Sequence, residues 1–160
     1  MNENLIQNHF NFILNTLVFC AIGFVIPGFT AIILLGIQII FTKIGIECSS
    51  AWKIIWILNW IGMVVLPYLF LQYIKIIPEE KLPLLKSRLI FFNLLEYIFI
   101  QASLASFFTS GQTLCYVSDG QNGIELVFTA WLALPILFSF SLYFSRISMI
   151  KKQDTTANSR

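Results

Sequence analysis

Apolar residues run along this chain in four long blocks separated by short polar connectors, without the strict alternation that marks a half-buried strand. The blocks predict an all-α chain with helices over residues 12–42, 54–77, 89–111 and 126–150. A helix that crosses a bilayer needs about 20 predominantly apolar residues. The last three blocks each fit one crossing. The first is too long for one straight span, and two crossings would leave each arm short. The pair Pro27-Gly28 in "VIPGF" therefore reads as a kink in one long helix, with the tip of a re-entrant hairpin as the alternative. Pro67 and Pro135 place similar bends in the second and fourth helices.

The connectors "KIGIECSSAWK", "PEEKLPLLKSR" and "QTLCYVSDGQNGIE" are brief, and the last carries the turn signals Asp119-Gly120 and Asn122-Gly123. The tail over 151–160, "KKQDTTANSR", is polar and is expected to lack order. No internal repeat is visible. Residues 1–150 read as a single four-helix domain with no room for a separate soluble one.

Composition removes the soluble alternatives. The chain is 58% hydrophobic and only 11% charged, whereas soluble domains carry about 25% charged residues. There is too little polar surface to coat a globule in water, so the lipid bilayer is the expected partner of most of the surface. No basic run is long enough for nucleic acid. The N-terminus lacks a basic region and a small-residue cleavage site, so the first block is expected to stay in the protein. The excess of Ile, Phe, Leu and Asn suggests an AT-rich bacterial gene, hence a bacterial inner membrane. Lysine and arginine then set the orientation. Lys75, Lys81, Lys86 and Arg88 surround the second connector, and Arg146, Lys151, Lys152 and Arg160 the C-terminal end. The third connector has neither type, only Asp119 and Glu125, and in the first Glu47 offsets Lys43 and Lys53. Both termini are expected in the cytoplasm.

One carboxylate stands inside the third block, "RLIFFNLLEYIFIQASLASFF". Glu96 falls on the flank of the helix that also holds Asn93, Tyr97 and Ser103. Ala102, Ser106 and Ser110 add a strip of small residues at i, i+4, i+8 that would let another helix approach closely. Charged groups inside a membrane are rare and are usually paired or turned toward a cavity. The expected partner is Arg146, at the cytoplasmic end of the fourth helix. The alternatives are a working carboxylate for proton or cation relay, or for partner recognition, and a lone side chain that snorkels to the surface. On the second helix Trp52, Trp56 and Trp60 form a ridge beside Asn59. The ridge is expected to anchor the helix at the interface, or to pack against a partner helix.

Cys48 and Cys115 fall in the two extracytoplasmic connectors and can form a disulfide on an oxidising face; two unpaired thiols are the alternative. No CxxC pair supports thiol oxidation. The single His9 joins no cluster with metal-ligand spacing, so neither metal nor cofactor is expected. Arg88, Asn93, Glu96 and Tyr97 superficially echo small membrane enzymes of eicosanoid and glutathione metabolism. The spacing is one residue too long, and the block is not the corresponding one.

With four helices, short loops, internal termini and the basic end "FSRISMIKK", the chain resembles the colicin A-type immunity proteins in size and layout. That resemblance implies a non-catalytic protein that binds the membrane-inserted helices of a pore-forming bacteriocin. It carries no residue roles across. An accessory subunit of an inner-membrane complex and an exclusion protein are alternatives of the same binding kind. A small transporter, channel or membrane enzyme using Glu96 is the alternative of a different kind.

Overall fold

The computed structural model describes residues 3–26, 28–78, 82–116 and 124–158. Among the described residues the chain is all-α, with six helices. In order they are α1 (Glu3–Val25), α2 (Phe29–Lys43), α3 (Cys48–Ile76), α4 (Leu82–Ala105), α5 (Gly111–Tyr116) and α6 (Ile124–Asn158). Three of them contain stretches long and apolar enough to cross a membrane: Cys48–Ile76, Ser87–Ala105 and Val127–Ser148. Ile13–Val25 and Phe29–Lys43 meet the same test only as a pair, bent by 73° at their junction.

The expected single helix over 12–42 is therefore broken. The last amide bond of α1 runs from Ile26 to the Ile22 carbonyl, and α2 restarts from the Gly28 carbonyl. Pro27 lies outside the described residues. Chemically it supplies no amide N–H and disfavours helix in the residue before it, so a break belongs here. At its far end α2 stops in a Schellman motif. Gly45 adopts φ 98°, and the Gly45 and Ile46 amides return to the carbonyls of Thr42 and Phe41.

Other boundaries also differ from the sequence reading. Both α3 and α4 begin earlier, at Cys48 and Leu82, and α4 ends at Ala105, short of residue 111. The α4 end is set by side chains. Ser106 Oγ donates to the Ser103 carbonyl at 2.6 Å, a back-bond that competes with the helical ladder. The Phe107 and Phe108 amides then tighten to i−3 carbonyls. Ser110 opens α5 by accepting the Thr113 amide at 3.3 Å. Ser106 and Ser110 thus leave the helix, and the expected strip with Ala102 does not form. The C-terminal tail, expected to lack order, continues α6 to Asn158. A helix already nucleated by a long apolar span extends cheaply, one bond per residue fixed.

Paired side chains give the register. Phe24 stacks on Trp131 at 5.7 Å and Thr16 meets Ser141, so α1 runs antiparallel to α6. Phe92 stacks on Phe70 at 4.7 Å while Ser106 meets Trp60, so α4 runs antiparallel to α3. Phe92 also meets Phe144 at 5.1 Å, and Thr129 meets the Gln101 carbonyl, so α4 is antiparallel to α6 as well. Four long helices alternate in direction around α4. One end of the bundle is filled by Phe70, Phe92 and Phe144. At the other, Ala31 and Leu34 of α2 pack on Trp52 and Ile55 of α3, Ala102 and Ala105 of α4, and Leu114 of α5. α2 therefore lies across that end of the bundle. Outward positions are occupied by Ile, Leu, Val and Phe, among them Ile32, Ile57, Val64 and Phe91.

Close approach of α3 and α4 depends on Gly62, where an added Cβ would meet the Phe99 ring at 2.8 Å. Gly36 faces open space, with nothing within 4 Å. In detergent unfolding, Gly62→Leu should lose about 1–3 kcal/mol through overpacking. Gly36→Leu should change stability by no more than about 0.5 kcal/mol. Equal effects of the two would contradict this packing.

Candidate functional site

The polar side chains of α4 are buried along one side of the helix. Asn93 is 1% exposed, and Glu96, Tyr97, Gln101 and Ser103 are fully buried. Because α4 packs on α1, α3 and α6, this is the flank that the bundle encloses. Asn93 Nδ2 donates to Thr16 Oγ1 of α1 at 3.0 Å. The Thr16 hydroxyl donates in turn to Ser141 Oγ of α6 at 2.8 Å. A chain of three polar groups thus joins three helices in one layer. One turn along, the Tyr97 hydroxyl donates to the Gly23 carbonyl at 3.3 Å, and the Tyr97 ring stacks on Phe29 at 5.6 Å. Gly23 makes room for that ring, since a Cβ there would lie 3.4 Å from it.

Glu96 sits beside this layer without joining it. Neither carboxyl oxygen has a hydrogen-bond partner, and Asn93 Oδ1 and Ser103 Oγ are likewise unbonded. Asn93 Oδ1 is one turn from Glu96 on the same helix, where side chains at i and i+3 are neighbours. Both are acceptors, so neither can satisfy the other while the carboxyl is ionised.

The expected ion pair with Arg146 is not made. Arg146 is exposed, and the register explains why. Phe92 pairs with Phe140 and Phe144 and Gln101 with Thr129. Glu96 is therefore level with the part of α6 near Ile136, about 15 Å along the helix from Arg146. Depth counted from the ends of the apolar blocks put the two groups together; packing puts them apart.

Among the other expected interface residues, Ala102 and Ser103 are buried within the chain's own bundle. Asn59 is also buried, and its Nδ2 returns to the Ile55 carbonyl of its own helix at 2.7 Å rather than reaching another. Trp60 Nε1 donates to Ser106 Oγ at 3.1 Å, and Ser110 is exposed at the start of α5. Trp56 is half-buried against Trp52 at 5.0 Å, and Trp52 is wholly buried in the core rather than at a surface. Cys48 and Cys115 are brought together and joined by a disulfide, their Cα atoms 6.0 Å apart.

Thr16 and Ser141 were not singled out from sequence, although they complete the layer around Asn93. A local signal was present for Thr16 alone, in the polar pair Asn15-Thr16 that interrupts an apolar block. Among the described residues no group of three or more His, Cys, Asp or Glu is placed to hold a metal. Searches of protein-family models, curated proteins and solved structures find no match to this chain.

A buried polar group without a partner costs about 1–3 kcal/mol, and replacing it by an apolar group of similar shape can be neutral or stabilising. Glu96→Leu should therefore leave the unfolding midpoint in detergent at or above that of the natural protein. Glu96→Gln should do the same, because its amide can donate to Asn93 Oδ1. Arg146→Ala should be neutral in either background. A loss above about 1 kcal/mol in Glu96→Leu, relieved by Arg146→Ala, would restore the ion pair.

Proposed function

We propose that this chain is a multi-pass protein of a bacterial inner membrane that works by binding the membrane-inserted helices of another protein, as immunity to a pore-forming bacteriocin. In this reading α3, α4 and α6 each cross once, the bent pair α1–α2 makes the fourth span with the end of α2 at the outer interface, and both termini are cytoplasmic. The exposed side chains of Lys75, Arg88 and Arg146 support that orientation, because the antiparallel register collects them at one end of the bundle.

The observation that carries the binding reading is the uneven burial of the apolar helices. Only 17% of the most apolar window of α3 is buried inside the bundle, against 61% for α4. α4 is consumed by its own neighbours, whereas α3 offers Ile57, Ile61, Val64 and Tyr68 outward at helical spacing. Such a face packs equally well on lipid or on another helix. Affinity there comes from shape and van der Waals contact rather than from hydrophobic transfer. Asn59, Asn93, Glu96 and Gln101, deep in the spans, are turned inward, while the exposed Lys53, Lys75, Arg88 and Arg146 lie toward the span ends.

The test is survival. Bacteria expressing the chain are challenged with a panel of pore-forming bacteriocins and, as controls, with nuclease bacteriocins that kill inside the cell. Protection against a pore former alone is expected. Replacing both Ile61 and Val64 with Trp should abolish it while protein level and melting are retained. Absence of protection across the pore formers, with stoichiometric co-purification of a respiratory or secretion complex, would overturn immunity in favour of an accessory subunit.

A further inference from the structure

The end of the bundle that holds the disulfide is assembled differently from the rest. α5 has six residues, well below the length at which an isolated helix forms in water. Four contacts hold it. Leu114 is 5% exposed against Trp52 and the ends of α2 and α4. Gly111 approaches α3 so closely that an added Cβ would stand 2.9 Å from Trp52 Cβ and 3.0 Å from the Ser49 carbonyl. Ser110 caps its first turn. Cys115 is bonded to Cys48, the first residue of α3. The same sulfur of Cys48 accepts a hydrogen bond from Gln38 Nε2 of α2 at 3.1 Å. One disulfide therefore ties together the end of α2, the start of α3 and all of α5. None of the side chains of the Phe70–Phe92–Phe144 cluster or of the Thr16–Asn93–Ser141 layer belongs to this assembly.

We propose that the Cys48–Cys115 bond is a redox latch on a detachable cap. Oxidised, it holds α5 and the end of α2 across the bundle. Reduced, α5 unwinds and lifts away from Trp52, while the four long helices stay packed. In opening, the S–S bond breaks and two thiols form; the two electrons and two protons come from a dithiol, which becomes a cyclic disulfide. A free chain of six residues has too little helix propensity to stay wound, and among its described side chains only Leu114 is buried in the apolar cluster, with Cys115 packed at its edge. In the orientation proposed above, the latch closes only once this end of the protein has reached the oxidising face. A closed cap then marks a chain that is inserted the right way round.

Purified protein in detergent micelles tests this without refolding. Amide hydrogen exchange is followed before and after addition of dithiothreitol, with mass mapping of the disulfide in parallel. Reduction should raise exchange at residues 111–116 at least tenfold and leave residues 92–101 unchanged. Trp52 should become accessible to an aqueous quencher. Gly111→Val, which pushes α5 off α3 with the bond intact, should reproduce part of the change. Unchanged exchange at 111–116 would mean the cap needs no latch, and a rise through all the helices would make the bond a staple of the whole fold. Finding both thiols free in protein taken from oxidising membranes would also overturn the proposal.

Discussion

Three helices of this chain are long and apolar enough to cross a membrane, and on the proposal that they do, the inability of hydrocarbon to hydrogen-bond orders the rest of the structure. A polar side chain on a spanning helix must find its partner inside the protein or carry the full penalty of having none. Among the described residues the helix with the most buried polar side chains is α4, with Asn93, Glu96, Gln101 and Ser103, and it has become the axis of the bundle. Asn93 donates to Thr16, whose hydroxyl donates on to Ser141, the Tyr97 hydroxyl donates to the Gly23 carbonyl, and Thr129 of α6 donates to the backbone carbonyl of Gln101. Each of these fixes the rotation of a neighbouring helix about its own axis. The aromatic packing of Phe70, Phe92 and Phe144 then sets the register of α3 and α6 on α4.

Individual bonds of this kind are modest. Interhelical hydrogen bonds in membranes average about 0.6 kcal/mol, because the separated helices find other partners. Apolar burial adds less than it would in water, since lipid tails are as apolar as the leucine they replace. Shape therefore decides much of the stability, through Gly23 beneath Tyr97, Gly62 beneath Phe99 and Gly111 beneath Trp52. The disulfide closes a sequence separation of 67 residues. Chain entropy values such a link at about 4 kcal/mol, an upper bound where the unfolded chain keeps its helices in the membrane. Against these gains stands Glu96, buried with neither oxygen bonded. It fits poorly with a role in holding the fold together.

Much of the architecture was legible in sequence because it is local. Apolar length predicts the helices, and the positions of Cys48 and Cys115 in two connectors suggest their bond; Pro27-Gly28 reads as a kink in one long helix, whereas the chain is divided there into α1 and α2, bent by 73°. The polar flank of α4 was also visible, since helical spacing alone aligns Asn93, Glu96 and Ser103. Its partners were not. Thr16 and Ser141 lie 77 and 48 positions from Asn93 in the chain (93 − 16 and 141 − 93), and only the rotation of α1 and α6 brings them there. Arg146 lies apart from Glu96 for the related reason that depth is set by packing and not by block ends. Helical spacing alone leaves Ser106 and Ser110 on the surface of α4, whereas the back-bond to Ser103 and the cap on α5 end one helix and start another. α5 itself carries no periodic signal, being held by Leu114 and a disulfide rather than by its own propensity.

The claim on which the account rests is that Asn93 and Thr16 act as one unit joining α4 to α1. A double-mutant cycle measures it most directly, using Thr16→Val and Asn93→Leu singly and together, with unfolding followed in mixed micelles. The account predicts that each single change costs about 1 kcal/mol and that the pair costs little more than either, a coupling of at least about 0.5 kcal/mol. Effects that add to within about 0.3 kcal/mol would show the two side chains to be independent and would contradict the placement of α1 on α4.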